Sequence, residues 1–255
     1  MGQNFIKQYK KFLLVSIFLI LFVALSVSVV KWQKFHNPRL TLYDSSDIDV
    51  SAAPVQKLYT HRSSKSGIFE YKSLRKNITS KITPVASYKI SGLVVAHNTY
   101  FPLKSDFDYI ALYDIGLVWD KLAQGDFFKN NCKAKSEQII VEESFFQEGS
   151  ARGLSAYCKN HDETLKQIGY NWMDFDSHVS HTHIIPANVN IMSALNSIKN
   201  YDKVELEGEI VNVEVEGQEH ISSLERTDDN GSAQGGGACE IMYVTKIKIG
   251  HRIYQ

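Results

Sequence analysis

The chain has 255 residues, 44% hydrophobic residues and a formal charge of zero, which fits one or two globular domains. The zero hides an asymmetry: residues 1–43 carry six bases and no acid, so the remaining 22 bases face 28 acids, a net of about −6. An acidic body without a basic stripe repels phosphate backbones, which argues against a nucleic-acid partner.

In chain order, the first element is the uncharged run Phe12–Val30, 19 residues with no polar group larger than Ser. As a helix it would rise roughly 29 Å, close to the hydrocarbon thickness of a bilayer. A signal peptide is the alternative, but its apolar region is shorter and ends in a small-residue cleavage site, whereas Val-Val-Lys-Trp follows here. The expectation is an uncleaved transmembrane helix that touches membrane lipid through residues 12–30. Residues 1–11 would then be a cytoplasmic tail, 31–78 a stalk, and 79–255 a periplasmic domain of a single-pass protein in a bacterial inner membrane. Myristoylation is disfavoured, because Ile6 stands where its signal needs Ser or Thr.

Within the stalk, Val55–Tyr59 and Ile68–Tyr71 read as short strands. Ser87–His97 alternates as a strand, and Asp108–Leu122 places Leu112, Ile115 and Trp119 at near-helical spacing, with Gly116 against it. Asn188–Lys199 is a clearer helix, with Asn188 as N-cap and an Ile191, Leu195, Ile198 stripe. In Lys203–Val215 the apolar parity changes after Ile210, which predicts a bulge there, with Gly208 allowing a bend. Ile241–Ile249 alternates as a half-buried final strand. Together these predict an α+β fold: the spanning helix, then a small curled, OB-like β-barrel with one or two packed helices.

Three cysteines are an odd count for an oxidising compartment. Cys132 and Cys158 flank a polar segment, and a disulfide between them would close a 27-residue loop; the chain-entropy account gives such a loop roughly 3–4 kcal/mol. Cys239 is left over. It is either a nucleophilic thiol activated by a histidine or a small buried residue after Gly235-Gly-Gly-Ala, and a thiol beside Glu240 is raised unless a positive group intervenes. His181 and His183 would share a strand face, a plausible pair of metal ligands, with His178 on the other; a polar approach to Ile184-Ile185-Pro186 is the simpler expectation. Arg226 and Asp228 would pair across a hairpin or line a pocket. Ser222 and Ser223 lack a recognisable base or oxyanion hole. No catalytic residue, metal or cofactor is assigned from these patterns.

Several phrases occur together: Tyr88-x-Ile90-x-Gly92, Tyr113-Asp-Ile-Gly-Leu-Val-Trp119, His183-Ile-Ile-Pro-Ala-Asn188, Asp202-x-Val-x-Leu-x-Gly208, Ser222-Ser-Leu-x-Arg226-x-Asp228 and Gly237-Ala-Cys-Glu240. In this order, over about residues 86–249, the chain resembles a widespread group of bacterial membrane-anchored proteins of uncharacterised activity. The resemblance implies an envelope location and one shared fold. It also implies a candidate shared site of His183, Arg226, Asp228, Cys239 and Glu240, which match the motifs, whereas Cys132, Cys158, His178 and His181 do not. Departures from the group are Val118-Trp119-Asp120, where a Gly-rich Trp is usual, and a longer loop at Asp229–Gly236.

The expected function is a membrane-anchored, non-catalytic binding or assembly module of the envelope, with a protein partner there. The alternatives are a Cys239/His183 thiol enzyme, a metal-dependent hydrolase, or a receptor for a small ligand or glycan.

Overall fold

The computed structural model describes residues 16–23, 25, 26, 28, 37–60, 67–99, 105–141, 149–224 and 239–255. The strands are β1 (Leu42–Tyr43), β2 (Val55–Leu58), β3 (Phe69–Lys72), β4 (Thr79–Thr99), β5 (Tyr113–Val118), β6 (Cys132–Val141), β7 (Gly149–Cys158), β8 (Val179–Pro186), β9 (Lys203–Val215), β10 (Gln218–His220), β11 (Cys239–Ile249) and β12 (Arg252–Tyr254). The labelled helices are α1 (Phe127–Asn131), α2 (His161–Lys166), α3 (Trp172–Ser177) and α4 (Val189–Ser197).

Five strands close on themselves. The 21-residue β4 pairs with β5 and with β9; β5 pairs with β8; β8 runs parallel to β11; and β11 pairs back onto β9. All other pairs in the ring are antiparallel, which gives the Greek-key connectivity of an OB-type barrel and removes the exposed edges an open sheet would have. Ile90, Val94, Leu117, Ile184, Leu206 and Val244 fill the interior. Helix α4 packs into the same cluster with Ile191, Met192 and Leu195, each worth about 1.5–3 kcal/mol when fully buried. The helix starts where the Asn188 side chain accepts the Ile191 N–H at 2.9 Å. After Ile198 the chain reverses through Tyr201 at φ 71°, and the Lys199 N–H donates to the Asp202 carboxylate at 2.8 Å.

Two further apolar layers lie outside the barrel. One joins Leu93, Val95 and Val118 to Phe128, Leu165 and Phe175 from α1–α3. The other joins Ile82, Val211, Val213 and Ile241 to Tyr71 and Ile110. Strands β1, β2 and β3, within the segment expected to be a stalk, pair with β12 and β4 and so extend the same sheet.

The α+β class is corrected to a mainly β architecture. One cause is Asp108–Leu122: after a single 3-10 turn at Phe107–Tyr109 the chain extends, and Tyr113, Ile115 and Leu117 alternate into the barrel as β5. Their period of two was masked because the opposite face, with Gly116 and Val118, is buried as well. The second correction concerns the N-terminus. Residues 16–23, 25, 26 and 28 are helical, with Phe18 and Leu25 exposed. No helix among the described residues is long and apolar enough to cross a membrane. The single-pass topology, and with it the inner-membrane location with a periplasmic domain, is therefore unsupported; the rest of Phe12–Val30 lies outside the described residues.

The expected bulge in Lys203–Val215 sits on its partners instead. Register shifts fall between Pro84 and Ala86 of β4 and between Val244 and Lys246 of β11. Strand β9 keeps its parity: Val204, Leu206 and Ile210 face the barrel interior, while Val211, Val213 and Val215 face the outer layer. Gly208 is required at the crossing, because a Cβ there would stand 2.0 Å from the Tyr243 carbonyl oxygen.

Candidate functional site

Strands β5, β8 and β11 are adjacent, and their registers set one residue of each side by side. Asp114 lies opposite His183, and Cys239 lies beside His181. Alternation puts Asp114, His181, His183 and Cys239 on the outer face, while Tyr113, Ile184 and Met242 on the same strands fill the barrel interior. The four side chains thus meet although they come from positions 114, 181, 183 and 239.

Asp114 is 0% exposed and forms the base of the cluster. The ring nitrogen His183 Nδ1 is 2.6 Å from its Oδ1, so that nitrogen carries the proton and donates. His181 Nε2 lies 3.2 Å from Oδ2, an ion-pair contact without a hydrogen bond. The other ring nitrogen of His181, Nδ1, is 3.4 Å from Cys239 Sγ. The rings of His181 and His183 meet edge to face at 5.0 Å, and the Phe107 ring closes over His183. Phe107 in turn stacks on His220 at 4.1 Å.

These contacts set the charges. Burial pushes the Asp114 carboxyl up, but the two imidazoles outweigh it and hold the group well below the usual carboxylate range. Burial pushes His181 down, and the Asp114 carboxylate and the Cys239 sulfur beside it outweigh this, raising the ring to about 9. His183 moves up for the same reasons, against burial. Burial raises the Cys239 thiol, but hydrogen bonds from His181 and His183 bring it down to about 6. Near neutral pH the partly exposed Cys239 is therefore a thiolate beside an imidazolium. A thiol next to Glu240 is expected to be raised unless a positive group intervenes, and here two imidazoles intervene.

Of the five residues the motif resemblance grouped, His183 and Cys239 meet. Glu240 takes the opposite face of β11 in register with Thr182, is 2% exposed, and its Oε2 has no hydrogen-bond partner. Burial raises its carboxyl to about 8, so it is neutral at pH 7. Arg226 and Asp228 lie outside the described residues. Ser222 is structural: its Oγ accepts the Ile241 N–H at 2.8 Å, and the Ser223 N–H donates to the Cys239 carbonyl, which fixes the start of β11. His178 is remote from the cluster and contacts the Asp174 carbonyl at the end of α3.

No family model, curated protein or solved structure matches the chain. The chemistry of the site follows from its own geometry.

Asp114 is the member that sequence reasoning missed; the sequence pairs His181 with His183 as plausible ligands on one strand face but leaves it outside the motif-shared set. Asp114 carried a usable signal, a lone acid inside the apolar run Ile110–Trp119. A helical reading of that run hid the signal, because it turned Asp114 away from the strand that carries His183. Elsewhere on the barrel, Tyr59, Lys89, Glu209 and Tyr243 line an open groove, in which the Tyr59 hydroxyl donates to Glu209 at 3.0 Å. This groove holds no comparable set of nucleophile and base.

Proposed function

We propose that the protein acts through Cys239 as a nucleophilic thiol, in a Cys–His–Asp arrangement of the kind that transfers or hydrolyses activated acyl groups. The observation that carries this reading is the relay from Cys239 Sγ to His181 Nδ1, with the far nitrogen of the same ring against buried Asp114. In such a step the Cys239 sulfur attacks the carbonyl carbon and the π pair moves to oxygen. The His181 Nδ1–H proton then passes to the leaving group as its bond to the acyl carbon breaks. Water attacks the resulting thioester, gives its proton back to His181, and releases Cys239 as thiolate. Asp114 keeps the ring oriented and offsets its positive charge. The binding- or assembly-module reading has no described surface of comparable specificity behind it.

The test is alkylation of Cys239 by iodoacetamide across pH in EDTA-treated protein, read by mass spectrometry, together with acetylation by an activated acetyl ester. The rate should titrate with a midpoint near about 6. His181→Ala should move the midpoint toward about 8.5, the ordinary thiol value. At pH 7 the rate should fall only several-fold, because a more basic thiolate is individually the better nucleophile. One acetyl group per chain, on Cys239, completes the expected result. A wild-type midpoint near that of free cysteine, or one that His181→Ala leaves in place, would overturn the proposal.

A further inference from the structure

The relay uses one imidazole, yet two face Cys239. His183 engages Asp114 through Nδ1 and leaves Nε2 as its donor atom; His181 sets Nε2 against Asp114 and Nδ1 toward Cys239. A single buried carboxylate therefore holds both rings from behind and turns both lone pairs to the same side. Among the described residues, His181, His183 and Cys239 offer three donor atoms that all lie within 4.8 Å of one another.

We infer that His181, His183 and Cys239 form a binding site for a borderline-soft divalent transition-metal ion of the Zn(II) class, with Asp114 as the outer carboxylate that orients both histidines. The geometry is close to what such an ion needs. Tetrahedral zinc with Zn–S of about 2.3 Å and Zn–N of about 2.0–2.1 Å separates its sulfur and nitrogen ligands by about 3.5 Å. Cys239 Sγ and His181 Nδ1 already stand 3.4 Å apart. The other separations among the three donor atoms, up to 4.8 Å, must close around the ion, and Cys239 is a partly exposed member of the set. Nitrogen and sulfur donors select against calcium and magnesium, which take oxygen ligands. A ligating histidine that donates its second N–H to a carboxylate is the usual outer-shell pattern; Asp114 supplies it to His183, and its other oxygen stands 3.2 Å from His181 Nε2. Three protein ligands leave a fourth position toward solvent, as in catalytic rather than structural zinc sites.

The inference rests on the proposed function in one respect, that Cys239 is the functional thiolate; a bound ion makes that sulfur a ligand and withdraws it from attack. Metal occupancy would then switch the thiol off, with the proton shared by Cys239 and His181 released as the ion binds.

The experiment takes the full chain, strips it with EDTA, and titrates it with Co(II) and with Zn(II). One equivalent of Co(II) should produce a thiolate-to-metal charge-transfer band with the intense visible bands of tetrahedral cobalt, and Zn(II) should displace it. Cys239→Ser should abolish the charge-transfer band. Asp114→Asn should weaken Zn(II) binding by roughly 10–100-fold, and His183→Ala, which removes a ligand, by more. Circular dichroism and thermal melts of each variant separate loss of ligand from loss of fold. Saturating Zn(II) should suppress iodoacetamide labelling of Cys239, and EDTA should restore it. No stoichiometric Co(II) or Zn(II), or an affinity that folded Cys239→Ser and His183→Ala leave unchanged, would overturn the metal site. If metal fails to bind while EDTA-treated Cys239 still titrates low, the metal inference falls alone. If metal binds but stripped Cys239 reacts as an ordinary thiol, the proposed function falls alone.

Discussion

His183 donates from Nδ1 to a carboxylate of Asp114 that has no exposed surface, at 2.6 Å. A charge-assisted bond of this length inside a protein is strong, and removing one partner leaves the other buried and uncompensated. The pairing follows from register, because β5 and β8 set the two residues directly opposite each other.

Asp114→Asn therefore tests the base of the site. The amide keeps the shape and removes the charge that supports both imidazoles. Unfolding in urea should show a loss of about 3–5 kcal/mol, as for a broken buried ion pair. In the protein that still folds, the pH midpoint of Cys239 alkylation should rise from near about 6, because neither ring keeps its proton as readily. Wild-type stability together with an unmoved midpoint would show that Asp114 does not set the charge of the site.

Glu240 gives a pH signature of opposite sign. Its folded-state carboxyl is raised by burial to about 8, above its ordinary 4.5. Between those values the folded chain holds a proton that the unfolded chain has lost, so stability falls as pH rises through the window. At about 1.36 kcal/mol per pH unit, the penalty reaches a few kcal/mol by pH 8. Glu240→Gln removes the titration. Its stability relative to wild type should climb steadily from pH 5 to pH 8, as measured by urea unfolding at each pH. Parallel stability curves would mean that Glu240 is ionised in the folded protein. Comparing the two chains cancels the contributions of Cys239 and His181, which titrate in the same range.

Cys132 and Cys158 face each other at the base of the β6–β7 ribbon and are bonded. The bond closes the ribbon where it joins the apolar layer of Phe128 and Leu165. Changing both to Ser should lower stability by roughly 3–4 kcal/mol on the chain-entropy account. A non-reducing digest of the wild type should contain one Cys132/Cys158 peptide pair, with Cys239 free. Coincident thermal transitions for the two chains, or Cys239 in the linked pair, would contradict this.

By itself the sequence determined those elements whose apolar residues keep a visible period or whose ends are chemically marked. Lys203–Val215 is β9 to the residue, and Asn188 caps α4 as its side chain predicts, because an N-cap oxygen and a local apolar stripe act within one turn. The Cys132–Cys158 pair was likewise legible from the polar loop it closes. Asp108–Leu122 was not legible as β5, because a strand buried on both faces loses its period of two and its spacing imitates a helix. The site was legible only in pieces. His183 and Cys239 stood out, Glu240 was grouped with them although it lies on the opposite face of β11, and the role of Asp114 stayed hidden until β5 lay beside β8. Which strands become neighbours, and in which register, depends on barrel closure between positions tens of residues apart. That closure alone gives Asp114 two histidines and sets a thiolate in front of them.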